Sequence, residues 1–244
     1  MIESFYEHIG LSKFPIIKKR ISKRMIQNQI SLTKLQEKVF DGVERVQLDF
    51  QLTPAQLGAD AFKDNERNYP GIIFIQVKLR EKLKVSQLEE LVIILNRLFP
   101  VPLVTSLILE DEFIIFAAHK RLSLSNQQEV VINEAVSTSW VSFETPFYKE
   151  WTKRIHIDGL PATHLYDVYH SYVMSIQTFR ISQITEKFID ESQLEIETNR
   201  VKEIEDLQNK IQELKKKLKK EKQFNRKVDM NVKIHSLTKR LEQL

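Results

Sequence analysis

The C-terminal end of the chain carries a hydrophobic pattern that leaves it few conformations. Ile204, Leu207, Ile211, Leu214 and Leu218 alternate spacings of three and four, and Met230, Ile234, Leu237, Leu241 and Leu244 do the same. Such a repeat keeps one apolar stripe on one side of a helix, as in a coiled-coil seam. The step from Leu218 to Met230 fits no continuous heptad, so the seam breaks between the two runs. Matched end to end, the runs pair by reflection about Phe224: Leu218 with Met230, Leu214 with Ile234, Ile211 with Leu237, Leu207 with Leu241 and Ile204 with Leu244. This predicts an antiparallel helical hairpin over 194–244, with its tip near Gln223 to Lys227 and Asn225 or Asp229 capping the second helix. The rival arrangement is one long, kinked helix that pairs with another chain, and the lack of Gly or Pro at the tip speaks for it.

The approach to the tip is basic: Lys215, Lys216, Lys217, Lys219, Lys220, Lys222, Arg226 and Lys227, opposed only by Glu221. Charge this dense raises the local potential and suits an acidic partner surface or a phosphate backbone. Its plainer account is a solvated helix end. For a contact surface, the residues expected to carry it are Lys215, Lys216, Lys219, Lys220, Lys222, Arg226 and Lys227.

Ahead of the stalk the pattern shortens to that of a mixed α/β body. Met1 to Gly10 places Ile2, Phe5, Tyr6 and Ile9 on one helical face, and Ser31 or Thr33 precedes a helix carrying Leu35, Val39 and Phe40. Val43 to Leu52 alternates apolar and polar residues and reads as a half-buried strand. Thr53 to Pro70 reads as irregular. Ile72 to Leu79 is the most apolar run and is expected at the centre of a sheet. A helix from Ser86 to Phe99 ends at Pro100 and Pro102, followed by a strand from Leu103 to Leu109, a turn at Glu110 to Glu112 and a returning strand from Phe113 to Ala118. Asn126 to Asn133 reads as a weak strand or a loop, and Ser137 to Phe143 as a further strand with Trp140 inward. Pro146 to Pro161 reads as a connector; Thr163 then opens a long helix with Leu165, Tyr169, Tyr172, Ile176 and Phe179 on one stripe, extending with interruptions towards the stalk. The expected class is therefore α/β, a mixed sheet with flanking helices plus a C-terminal antiparallel helical hairpin. The expected division is a body over 1–145, a connector and long helix over 146–193, and the stalk over 194–244.

Several chemistries are excluded or disfavoured. There is no cysteine, which removes disulfides, thiolate catalysis and cysteine-held metal clusters. The five glycines form neither a phosphate-binding loop nor a dinucleotide fingerprint, so no nucleotide cofactor is expected. The histidines are scattered; His156 and Asp158 are the nearest approach to a ligand pair, and no metal site is expected. The apolar stretch Leu91 to Leu109 is broken by Asn96, Arg97, Pro100 and Pro102, and Met1 to Gly10 lacks an apolar run. No membrane span or signal peptide is expected, and the cytoplasm is the expected compartment.

One constellation points to catalysis. Restriction-type nucleases set an acidic residue near a Glu- or Gln-x-Lys pair at the end of a central strand, with carboxylates for a divalent ion and a lysine beside the attacking hydroxide. Gln76-Val77-Lys78 ends the central strand candidate, with Gln76 and Lys78 on one face, and Asp49, Asp60 and Asp64 precede it. The candidate set is Asp64, Gln76 and Lys78; the alternative is the solvated end of a structural strand.

Residues along nearly the whole chain carry a resemblance. They are Lys19-Arg20-Ile21-Ser22-Lys23 with Leu32-Thr33 and Val39-Phe40; Val43 to Leu52 running into Thr53-Pro54; Ile72 to Leu79; Phe113 to Arg121 with His119-Lys120; and the tail from Lys220 to Asn231. In these the chain resembles a bacterial domain-of-unknown-function family encoded beside helicases and DNA methyltransferases in restriction-like defence loci. It departs from that family's pattern at Ser22, where the family has proline. The resemblance implies a helicase- or methyltransferase-containing partner, with DNA as a further contact, and carries no catalytic residues. The expected function is an accessory or adaptor subunit; the alternatives are a metal-dependent nuclease and a nucleic-acid-binding protein.

Overall fold

A computed structural model describes residues 1–122, 130–133, 135–161, 163–221 and 223–243. The helices and strands run α1 (Ile2–His8), β1 (Lys19–Ile21), α2 (Lys23–Gln29), α3 (Lys34–Val39), β2 (Val43–Leu52), α4 (Pro54–Leu57), β3 (Phe62–Lys63), β4 (Asn68–Tyr69) and β5 (Ile72–Leu79). They continue α5 (Val85–Leu98), β6 (Leu103–Leu109), β7 (Glu112–Ala117), β8 (Lys120–Leu122), β9 (Val130–Ile132), β10 (Val136–Ser137), α6 (Tyr148–Arg154), α7 (Leu165–Thr185), α8 (Leu194–Lys220) and α9 (Phe224–Leu241). Six strands form one sheet in the order β1-β2-β5-β6-β7-β10. Among the described residues of this sheet β5 and β6 are the one parallel pair, and α5 is the crossover between them.

The central strand is where its composition predicts. β5 is buried from Ile72 to Val77 because helices cover both faces of the sheet. On one face, Ile73, Ile75, Val77 and Leu107 pack with Ile26 of α2, Val39 of α3 and Leu88, Leu91 and Leu95 of α5. On the other, Phe50, Ile72, Phe74 and Ile115 pack with Phe5 of α1, Trp151 of α6 and Tyr169, Tyr172 and Phe179 of α7. Thr33 caps α3 through a reciprocal capping box with Gln36, as its sequence position suggests. α2, capped by Ser22, lies in the basic stretch and carries too few apolar residues to announce itself.

Several expectations change. β2 is not half-buried: Gln47 and Asp49 on its polar face are enclosed as fully as Val46 and Leu48. The reason is that α1 lies over that face. The run Thr53 to Pro70 contains α4 and the small β3–β4 hairpin. Beyond β10, Thr138 exchanges hydrogen bonds with Ile115 of β7 and Val141 bridges to Phe113; Val141 is buried and Trp140 only partly so. Of the weak strand, residues 126–129 lie outside the described residues. The segment read as a connector folds as α6, whose Trp151 stacks on Phe179 at 4.3 Å and lies 5.5 Å from Phe5. It is a core element, too short for its apolar residues to repeat visibly.

α7 buries Leu165, Tyr169, Tyr172, Ile176 and Phe179, the stripe read from the sequence. It stops at Thr185 with Glu186 at φ 55°, and Asp190 then caps the turn that leads into α8. The first turns of α8 pack back on α7, with Leu194 and Val201 against Ile181 and Ile189. Further on, α8 and α9 lie side by side as an antiparallel hairpin. Leu207 and Ile211 are buried, and Ile204, Leu214, Leu218, Met230, Ile234, Leu237 and Leu241 are half-buried, so the seam faces inward as the repeat predicts. Leu244 lies outside the described residues. α8 ends at Lys220 and α9 begins at Phe224, so the second helix starts earlier than expected. Phe224 is therefore no pivot but the exposed first residue of α9. Neither Asn225 nor Asp229 caps that helix; Gln223 stands at its N-cap, and its N–H is taken by the Glu221 carboxylate at 2.9 Å.

Candidate functional site

The basic tip and the strand-end constellation are separate places in the fold. At the tip, Lys215, Lys216, Lys219, Lys220 and Arg226 are exposed and Lys227 is half-buried. Lys217 reaches Glu213 at 4.0 Å, a solvent-exposed pair of small energetic weight, and Arg226 reaches the half-buried Glu221 at 3.9 Å. Lys222 lies outside the described residues.

Asp64 and Gln76 do not meet as partners. Asp64 sits in the β3–β4 turn, where it accepts hydrogen bonds from the backbone N–H of Glu66 and Arg67 and pairs with the Arg67 guanidinium at 2.7 Å. The Arg67 hydrogen bond holds its carboxyl below the usual carboxylate range. Arg67 in turn lies 4.5 Å over the ring of Tyr166. Lys78 pairs with Glu44 at 3.1 Å.

The carboxylate that Gln76 does meet is Asp49. Antiparallel pairing of β2 with β5 sets Gln47 opposite Gln76, and a register shift between Leu48 and Phe50 turns Asp49 into the same space. Its Oδ1 accepts from Gln47 Nε2 at 2.7 Å and Gln76 Nε2 at 3.0 Å, and its Oδ2 accepts from the Tyr6 hydroxyl at 2.9 Å. Asp49 is fully buried, and burial, reinforced by the Asp49 charge, pushes the Tyr6 hydroxyl well above its ordinary pKa. Across the sheet, Arg20, Gln47, Gln76 and Ser106 form one register row, the polar continuation of a face that is otherwise apolar.

Nuclease chemistry of the restriction type would require a divalent ion at this place. Among the described residues no group of three or more His, Asp or Glu is arranged to hold one. Asp49 is a single carboxylate with both oxygens engaged by neutral donors. The arrangement does not fit a bound divalent ion. His156 and Asp158 are 3.7 Å apart, and Asp158 is taken by Lys13.

Two further polar features have no pattern in the sequence. His119 Nδ1 is 2.7 Å from the Tyr69 hydroxyl and its Nε2 3.1 Å from His170 Nδ1, which ties the β4 hairpin and the end of β7 to α7. Burial lowers the His119 pKa to about 4, with the neighbouring His170 as a second cause. Lys120 is buried and donates to the carbonyls of Asn96, Phe99 and Val101, so it closes the C-terminus of α5; burial lowers its pKa to about 7. The adjacent pair His119-Lys120 was the only local trace of either, since the partners come from distant segments.

The fold and these sites define an α/β protein with a mixed three-layer body and a helical hairpin, whose polar centre lies under its first helix. The chain belongs to the family described as a domain of unknown function, DUF4391, whose model matches residues 15–241. No curated protein and no solved structure matches it. Among the described residues no helix is long and apolar enough to cross a membrane.

Proposed function

We propose that the protein is an accessory subunit of a bacterial restriction-like or anti-phage defence assembly and docks on a helicase- or methyltransferase-containing partner through its hairpin. The observation that carries this reading is a second apolar stripe on α9. Phe224, Val228 and Val232 follow at i, i+4 and i+8 and are exposed, on the side of the helix away from its seam. A hairpin needs one stripe to close; a second, exposed one suits the apolar groove of a helical surface on another protein, and the cations elsewhere on α9, Arg226, Lys227 and Lys233, suit acidic margins to that groove. The test is co-purification of the co-expressed partner with a chain shortened to remove 204–244. This cut retains Leu194 and Val201, which pack on α7, so the body stays covered. The complex is expected to be lost while the body remains folded; a shortened chain that still co-purifies overturns the reading.

The other reading, a metal-dependent nuclease through Asp64, Gln76 and Lys78, keeps the strand, strand, helix, strand order in its favour, but Asp64 is held by Arg67, Lys78 by Glu44, and the buried Asp49 beside Gln76 does not fit a divalent ion. Magnesium- or manganese-dependent cleavage of plasmid DNA, lost in Lys78→Ala, is its expected result. Cleavage that persists in that variant removes it.

A further inference from the structure

The open end of the sheet face under α1 carries cations that neither stalk nor polar centre accounts for. Arg20 of β1 stands opposite Gln47, and Arg45 stands two residues from Gln47 and opposite Lys78 of β5. Opposed and alternate strand residues share a face, so Arg20, Arg45 and Lys78 rise from one side of three adjacent strands. Arg45 lines two clefts at once. One, of about 470 Å³, opens towards the other face of the sheet beside Ile21 and Val46 and is also lined by Arg20, Asp41 and Glu44; the other, of about 300 Å³ under α1, is lined by Glu3, Lys18 and Gln47.

The charges here divide into used and unused. Lys18 is paired with Glu3, Lys23 with Asp41 and Lys78 with Glu44, all at the solvent surface. Arg80 donates to the Val43 carbonyl. Arg20 and Arg45 are exposed and have no ion pair among the described residues. Two guanidiniums without an ion pair among the described residues, on neighbouring strands, each offer the donor fork that binds phosphate in two-point fashion.

We propose that Arg20 and Arg45 clamp the phosphodiester backbone of a nucleic-acid strand laid across the open ends of β1, β2 and β5. Adjacent strands are about 4.8 Å apart and Arg45 stands two residues along β2 from the partner of Arg20, so the two positions are about 8 Å apart, wider than one phosphate. The Arg20 and Arg45 side chains stay exposed rather than converging on an enclosed point, which suits a chain of phosphates and not a small anion. The proposal does not rest on the accessory-subunit reading, and it supplies a substrate surface for the nuclease reading without requiring cleavage.

The experiment measures binding of the full chain to fluorescent single-stranded and duplex oligonucleotides over a range of salt, with inorganic pyrophosphate as competitor. Arg20→Gln/Arg45→Gln is expected to weaken binding about tenfold or more and to lower the slope of log affinity against log salt by about two. Arg20→Lys/Arg45→Lys keeps the charge but loses the fork, and is expected to fall between. Lys215→Gln/Lys216→Gln/Lys219→Gln/Lys220→Gln tests the stalk and is expected to weaken binding less than the arginine pair does. Both arginines are exposed, so their replacement leaves the fold intact, and unchanged circular dichroism verifies this. Absence of binding by the unaltered chain overturns the proposal. So does binding that follows the stalk lysines instead of the arginines, or competition by pyrophosphate at the concentration of the oligonucleotide phosphates.

Discussion

Removing the buried carboxylate of Asp49 tests what holds the polar centre together. Three donors converge on it: Gln47 and Gln76 on one oxygen, Tyr6 on the other. A hydrogen bond to a charged acceptor is worth about 1.5–3 kcal/mol, and a buried donor left without an acceptor costs about 1–3 kcal/mol. In Asp49→Ala all three lose their acceptor. The adjoining cleft of about 300 Å³ is lined by Gln47 and Gln76, so water can reach those two amides. Tyr6 is more fully enclosed, at 2% exposure for the whole residue against 7% for each glutamine. The expected loss is about 3 kcal/mol, less than the sum of three stranded donors. Asp49→Asn differs because both glutamines bind the same oxygen, which the amide retains. Its new N–H₂ can donate to the Tyr6 oxygen, and the expected loss falls to about 1 kcal/mol. Urea unfolding followed by tryptophan fluorescence, with the slope against urea unchanged, gives both numbers. Equal losses in the two variants would refute the assigned bonding. A neutral Asp49→Ala would show that desolvating the carboxylate costs as much as its bonds return.

Trp151→Ala should cost about 3–5 kcal/mol, since it empties the stack between Phe5 and Phe179, and thermal unfolding reads this directly. Leu207→Ser/Ile211→Ser should open the α8–α9 hairpin alone: helical ellipticity falls while the main unfolding transition of the body stays within a few degrees. His119 has a folded pKa near 4 against an ordinary 6.5, so the unfolded chain binds the proton more readily between those values. The stability this group contributes is complete above pH 6.5 and is lost as pH falls towards 4; His119→Gln should flatten that part of the urea-midpoint profile against pH.

Local pattern alone determined the elements whose side chains repeat. The seam from Ile204 to Leu241, the α7 stripe, the apolar β5 and the bounds of β2 and β6 all follow from spacing, because burying one face of a helix or strand requires that spacing. The same pattern identified Gln76 and Lys78 as sharing a face, since alternation within one strand is local. Which acid stands beside each was decided by the tertiary structure: Asp49 at Gln76 and Glu44 at Lys78. Asp49 and Asp64 are equally acidic in the sequence, and only the β2–β5 register, set across the excursion through α4, β3 and β4, brings Asp49 to Gln76. The burial of Gln47 and Asp49, the core role of Trp151 and the enclosure of Lys120 by three carbonyls have the same origin. Each depends on a helix or strand end supplied by a distant part of the chain, and a contact between distant segments leaves no period in either.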